Sequence, residues 1–106
     1  MQTLDGWLKE RNDGGRDFVL VDVREPNEYE INKIPGSVLI PKGEFLRGDA
    51  LEKVPSDKQA VLYCKTGARS AEALAVLKGA GYADAVHVGG GVVAWVNQID
   101  PSQPAY

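Results

Sequence analysis

The chain has 106 residues, 43% of them hydrophobic and 25% charged, with a net charge of −3 at neutral pH. That is the length of one domain, and the balance excludes wholesale disorder and a membrane span. Fifteen acidic residues outnumber twelve basic ones with no long run of either sign, which argues against nucleic acid as the main partner. The one cysteine, Cys64, excludes an internal disulfide and a thiolate zinc cluster, so no metal is expected and stability must come from packing. With no leader-like stretch behind Met1 and Gln2, the expected compartment is the cytoplasm.

Leu4, Trp7 and Leu8 recur at helical spacing behind Thr3, a candidate N-cap, and predict a short helix that ends near Asn12-Asp13-Gly14-Gly15. Phe18 to Val23 is almost continuously apolar and rich in β-branched residues, as a strand covered on both faces should be; Asp22 interrupts it near its end. Pro26, with Glu28 and Glu30 close behind, predicts a brief helix stopped by Ile34-Pro35-Gly36. Ser37 to Ile40 reads as a second strand ended by Pro41, and Phe45, Leu46 and Leu51 as helical turns before Val54-Pro55. Ala60 to Cys64 is a third buried strand, followed by a helical pattern through Ala71, Leu74 and Leu77 that closes at Gly79-Ala80-Gly81. Ala85 to Val88 is a fourth strand, the glycines at 89 to 91 turn into a last helix containing Trp95, and the tail from Asp100 to Pro104 reads as extended. This alternation predicts an α/β fold with a mainly parallel sheet.

The stretch that carries chemistry is Cys64-Lys65-Thr66-Gly67-Ala68-Arg69-Ser70, where a cysteine ends a buried strand and a helix begins one short loop later. Sites in open parallel sheets form at the carboxyl ends of strands, which makes Cys64 a candidate nucleophile rather than only a small buried hydrophobe. Gly67 permits a tight backbone curl, so that amides from Lys65 to Ser70 can face an anion. Those amides, the helix dipole and the cations Lys65 and Arg69 favour the thiolate without a histidine. Lys65 is expected to face the substrate, Thr66 to brace the loop and Ser70 to cap the helix. Arg69 either pairs with Glu72 or Asp22 as an anchor or touches the substrate directly. His87, inside an apolar strand, reads as a structural histidine, and Trp7 and Trp95 as core or cleft rim. Asp22, Arg24 and Glu25 read as a charged cluster supporting the active loop.

Asp22-Val23-Arg24-Glu25, Ile34-Pro35-Gly36-Ser37, the Cys64 to Ser70 loop and Gly90-Gly91 with Trp95 stand in an order and spacing that resemble a rhodanese domain, over most of the chain from Phe18 to Trp95. The resemblance implies a rhodanese-like fold, with four to five strands in a mainly parallel central sheet and helices on both faces. It implies that Cys64 takes the outer sulfur of thiosulfate or a persulfide and passes it to a thiophilic acceptor, and it implies no cofactor. Lys65 to Ser70 would hold the substrate, and Asp22 and Arg24 would support the loop. The run from Gly89 to Pro101 resembles, more narrowly, the C-terminal rhodanese domains of adenylyltransferase and sulfurtransferase fusions that serve molybdopterin synthase. A ubiquitin-like sulfur carrier protein would then be the acceptor, for molybdenum cofactor or cysteine biosynthesis, with a fused or separate adenylyltransferase domain as partner. Residues 1–106 would form one rhodanese-like domain, free-standing or excised from a longer chain, with the family's first strand cut short before Thr3.

Two rivals share the architecture. A cysteine phosphatase or arsenate reductase would use the same thiolate, amides and arginine, but four residues separate Cys64 from Arg69 where the resembling phosphatases have five, and no resolving cysteine exists. A silent regulatory rhodanese module would typically have lost the cysteine.

Overall fold

The computed structural model describes residues 2–15 and 17–104. Along the chain these form α1 (Gln2–Asn12), β1 (Phe18–Asp22), α2 (Pro26–Ile31), β2 (Val38–Leu39), α3 (Lys42–Arg47), a 3-10 turn (Asp49–Glu52), β3 (Gln59–Tyr63), α4 (Ala68–Gly79), β4 (Val86–His87) and α5 (Gly91–Gln98). The two continuous apolar runs become the central strands, paired in parallel from Phe18 opposite Gln59 to Asp22 opposite Tyr63. β2 flanks β1 and β4 flanks β3, so the described sheet has four parallel strands in the order β2-β1-β3-β4.

Side chains alternate across a strand, and both faces of this sheet are covered. Ala60, Leu62 and Cys64 pack with Phe45 of α3 and with Ala73 and Leu77 of α4, whereas Phe18, Leu20, Val61 and Tyr63 pack with Leu4 and Leu8 of α1 and with Val92, Trp95 and Val96 of α5. Trp95 therefore belongs to the core, and half-buried Trp7 sits edge-on to Phe18 with ring centroids 6.1 Å apart. Tyr63 reaches through this layer, its hydroxyl accepting from the Ile34 amide at 3.1 Å and meeting Ser37 Oγ at 2.9 Å, so the loop after α2 is tied to the central strand.

The edge strands are shorter than their apolar runs predict. Each pairs along one side only, and Val38 is 47% exposed. The Val88 amide still donates to Leu62 O at 2.8 Å, so hydrogen bonding to β3 continues past β4 towards the glycine turn. The tail from Asp100 is a turn rather than an extended segment: the Asp100 carboxylate accepts from Ser102 Oγ and, at 2.9 Å, from Gln103 Nε2. A short acidic side chain that bonds residues just ahead of it curls the backbone. The expected truncated first strand falls on Gln2, which begins α1, and on Met1, which lies outside the described residues. No helix among the described residues is long and apolar enough to cross a membrane.

Candidate active site

Parallel strands bring all their carboxyl ends to one edge, and Cys64 is the first residue beyond β3 on that edge. The first turn of α5 fixes its backbone, with the Val92 amide donating to Cys64 O at 2.9 Å and the Val93 amide to Lys65 O at 3.3 Å. This approach requires glycine at 91, where φ is +62° and a Cβ would collide with the carbonyl oxygens of Cys64 and Lys65. Gly67 is constrained in the same way: its φ is +118°, and a Cβ there would strike the Gly89 carbonyl. The two glycine-bearing segments interlock, and side chains are excluded from the seam.

The curl turns donors onto the sulfur. Cys64 is 1% exposed, the Gly67 amide lies 3.0 Å from Sγ, and Ser70 Oγ lies 3.6 Å from it. Burial pushes the thiol's pKa up, but the Ser70 hydroxyl and the amides of Ser70, Gly67 and Thr66 outweigh it, so Cys64 ionises below its ordinary value. Helix α4 begins at Ala68 and adds the positive end of its dipole.

The residues expected to form the loop all lie around this curl: Gly67 and Ser70 are buried, Lys65 and Arg69 half-buried, and Thr66 and Ala68 exposed on its outer side. Two expected pairings are replaced. Ser70 is not the helix cap, because Gly67 occupies that position; Ser70 lies inside the first turn, and its hydroxyl folds back to Gly67 O at 3.1 Å and His87 Nδ1 at 2.9 Å. Arg69 pairs with neither Glu72 nor Asp22. It makes a two-pronged bond to Glu28, Nη1 to Oε1 at 2.6 Å and Nη2 to Oε2 at 2.9 Å, while Glu72 is taken by Lys42 and Asp22 by Arg24.

Glu28 does two jobs, since its Oε1 also accepts the Glu25 amide at 3.0 Å at the start of α2. The Arg69 bond, ahead of the cost of burial, holds its carboxyl below the usual carboxylate range, so its stabilisation is full above the unfolded value of about 4.3 and is lost as pH falls through the lower folded value. Glu28→Gln should therefore lose about 2 kcal/mol near neutral pH, at the low end for charged hydrogen bonds because Arg69 is partly exposed. The deficit should shrink on acidification. Urea midpoints measured at neutral pH and near pH 3 check this, and a deficit that persists in acid would disprove the charge-based account.

Asp22 and Arg24 form a separate pair, both fully buried, with Nη2 to Oδ2 at 2.8 Å and Nε bridging both carboxylate oxygens. Arg24 continues to Asn32, donating to its Oδ1 at 2.9 Å and its carbonyl at 2.7 Å. This pair braces the end of β1 against the turn after α2, and Glu25 stands outside it, exposed. Among the described residues no three His, Cys, Asp or Glu side chains are grouped to hold a metal ion.

Residues 4–98 match the family model for the rhodanese-like domain. The chain belongs to the rhodanese-like family. This rhodanese-like domain is 52% identical over 103 residues to the probable adenylyltransferase/sulfurtransferase MoeZ of Mycobacterium tuberculosis, an alignment covering 97% of the chain and 25% of that protein. The chain thus spans a quarter of the length of that relative. It is 35% identical over 88 residues to a sulfurtransferase of Allochromatium vinosum, covering 83% of the chain and 80% of the relative. Among solved structures, the rhodanese-like domain protein from Staphylococcus aureus superposes with a TM-score of 0.70 at 33% identity, covering 83% of each chain.

Proposed function

We propose that this domain is a rhodanese-type sulfurtransferase with Cys64 as its nucleophile, acting in the cytoplasm. The observation that carries the reading is the buried Cys64 sulfur ringed by loop amides and a serine hydroxyl that together favour its ionised form. The thiolate attacks the outer sulfur of thiosulfate, a Cys64 sulfur–sulfur bond forms, the sulfur–sulfur bond of the donor breaks, and sulfite leaves with its electron pair. The terminal sulfur carries the negative charge and lies where the amides of Thr66, Gly67 and Ser70 and the α4 dipole hold it. A nucleophilic acceptor such as cyanide then takes that sulfur and returns Cys64 as the thiolate.

The physiological acceptor we propose is a ubiquitin-like sulfur carrier protein for molybdenum cofactor assembly: its C-terminus, adenylated by a fused or separate adenylyltransferase domain, is attacked by the terminal sulfur of the Cys64 persulfide with loss of AMP, and two external thiols then reduce the acyl disulfide to the carrier's thiocarboxylate and the Cys64 thiolate. The MoeZ relative, named for both activities, supports that partnership. The two-pronged bond of Arg69 to Glu28 favours sulfur over phosphoryl transfer, because a phosphatase would need that guanidinium on its oxyanion.

The direct test is intact-protein mass spectrometry after thiosulfate, then after cyanide. Gain of one sulfur's mass, reversed by cyanide, is expected; no gain from thiosulfate or from a persulfide donor would refute the reading. Within it, Lys65→Gln should raise the KM for thiosulfate several-fold with a smaller fall in kcat, because a flexible cation beside the nucleophile meets the donor's charge before as well as during transfer. Steady-state kinetics check this, and an unchanged KM removes Lys65 from donor binding.

A further inference from the structure

Ser70 has one hydroxyl proton and three neighbours: Gly67 O at 3.1 Å, His87 Nδ1 at 2.9 Å and Cys64 Sγ at 3.6 Å. The carbonyl only accepts, whereas a thiol can donate and a thiolate can only accept. While Cys64 is protonated, its S–H can point to Ser70 Oγ and the Ser70 proton can go elsewhere. Once Cys64 carries charge, Ser70 can serve it only by spending that single proton on sulfur. His87 Nδ1 then keeps its bond to Ser70 only as the donor.

We infer that His87 is a positioning residue for sulfur transfer, donating its Nδ1 proton to Ser70 Oγ and so directing the Ser70 proton to the charged sulfur on Cys64. The inference rests on reading Cys64 as the nucleophile. Topology supplies the alignment: β4 pairs with β3 through Leu62 opposite His87, which sets the imidazole beside the first turn of α4. The Ser70 hydroxyl is also the strongest of the groups that favour the Cys64 thiolate, ahead of the backbone amides, so whatever orients it acts on the nucleophile. His87 does not touch the sulfur; it acts through Ser70.

His87 is the only histidine in the chain, so imidazole nitrogen NMR of the whole protein reads its protonation without ambiguity. With Cys64 in its charged form, above its ionisation midpoint or loaded as the persulfide, a proton on Nδ1 is expected, and a bare Nδ1 there overturns the inference. Variants give the second readout. His87→Phe, which keeps a flat ring but removes the Nδ1 donor to Ser70, should raise the ionisation midpoint of Cys64 by about one pH unit. The midpoint is followed by the pH dependence of alkylation. Sulfur loading at a pH below both midpoints should fall about tenfold with KM within twofold of the parent. His87→Asn, which keeps an N–H near the Nδ1 position, should recover most of both. Ser70→Ala should match His87→Phe, and the double variant should be no worse than either single one.

A His87→Phe protein that titrates like the parent, or a double variant with additive losses, overturns the inference. Should the Phe variant fail to fold, the NMR result and the Asn variant decide. Failure of the sulfurtransferase reading would look different: the parent itself would take no sulfur from any donor, while the Cys64 titration would still decide the role of His87.

Discussion

Cys64→Ser should fold like the parent and lose sulfur transfer down to background, a fall of at least roughly 10³-fold. The side chain is buried in a preformed ring of donors, and serine is a close replacement in shape, so the packing around α4 should survive. What disappears is the chemistry. A serine hydroxyl stays protonated in a ring of donors tuned to a thiolate, and it cannot form a persulfide. The checks are thermal unfolding for the fold and thiosulfate to cyanide transfer for the activity. Retained turnover in this variant would move the nucleophile away from Cys64, and with it the whole mechanism. A variant that unfolds early would instead show that the sulfur is needed for packing, which Cys64→Ala would separate from nucleophilicity.

The largest stability effect should come from Asp22→Ala. It leaves the Arg24 guanidinium, with none of its side chain exposed, without the carboxylate that accepts from Nε and Nη2, while Asn32 satisfies only part of its donor fork. Breaking a buried pair from one side costs about 3–5 kcal/mol, because the remaining charge is stranded in a poorly solvated place. For a domain of this size that is a fall in Tm of roughly 15 °C or more. Arg24→Met should cost a similar amount by stranding Asp22, yet Asp22→Leu combined with Arg24→Met should recover a good part of the loss, since an apolar pair of similar volume leaves no buried charge. Urea unfolding of the three variants gives the comparison. A cost below about 1 kcal/mol for Asp22→Ala would mean that water reaches Arg24 on its removal.

The strands and helices could be placed from the chain because each is a local pattern. The apolar runs from Phe18 and from Ala60 could only be strands buried on both faces, and the structure covers both of them with helices. Boundaries were less legible at the edges of the sheet, where the runs Ser37 to Ile40 and Ala85 to Val88 reduce to two paired residues each. An edge strand has one neighbour, so apolar content alone does not say how far its pairing runs. The tail was misread for a different reason. The segment from Asp100 to Pro104 reads as extended, but the Asp100 carboxylate gathers Ser102 and Gln103 into a turn.

By itself the sequence determined the centre of the site. Cys64, the Gly67 curl and the start of α4 are consecutive, so strand end, loop and helix N-terminus follow one another along the chain, and this loop is one of the four blocks whose order and spacing carry the rhodanese-like resemblance. Which groups hold the loop was decided only by the tertiary structure. Arg69 and Glu28 are 41 positions apart, and Ser70 and His87 are 17 apart; nothing local selects Glu28 over Glu72 or Asp22, or gives an apolar-strand histidine a hydroxyl to bond. The sheet order makes those choices. Placing β1 and β4 on either side of β3 brings the start of α2 and the end of β4 to opposite sides of the Cys64 loop, and Arg69 and Ser70 then pair with the groups that this places within their reach.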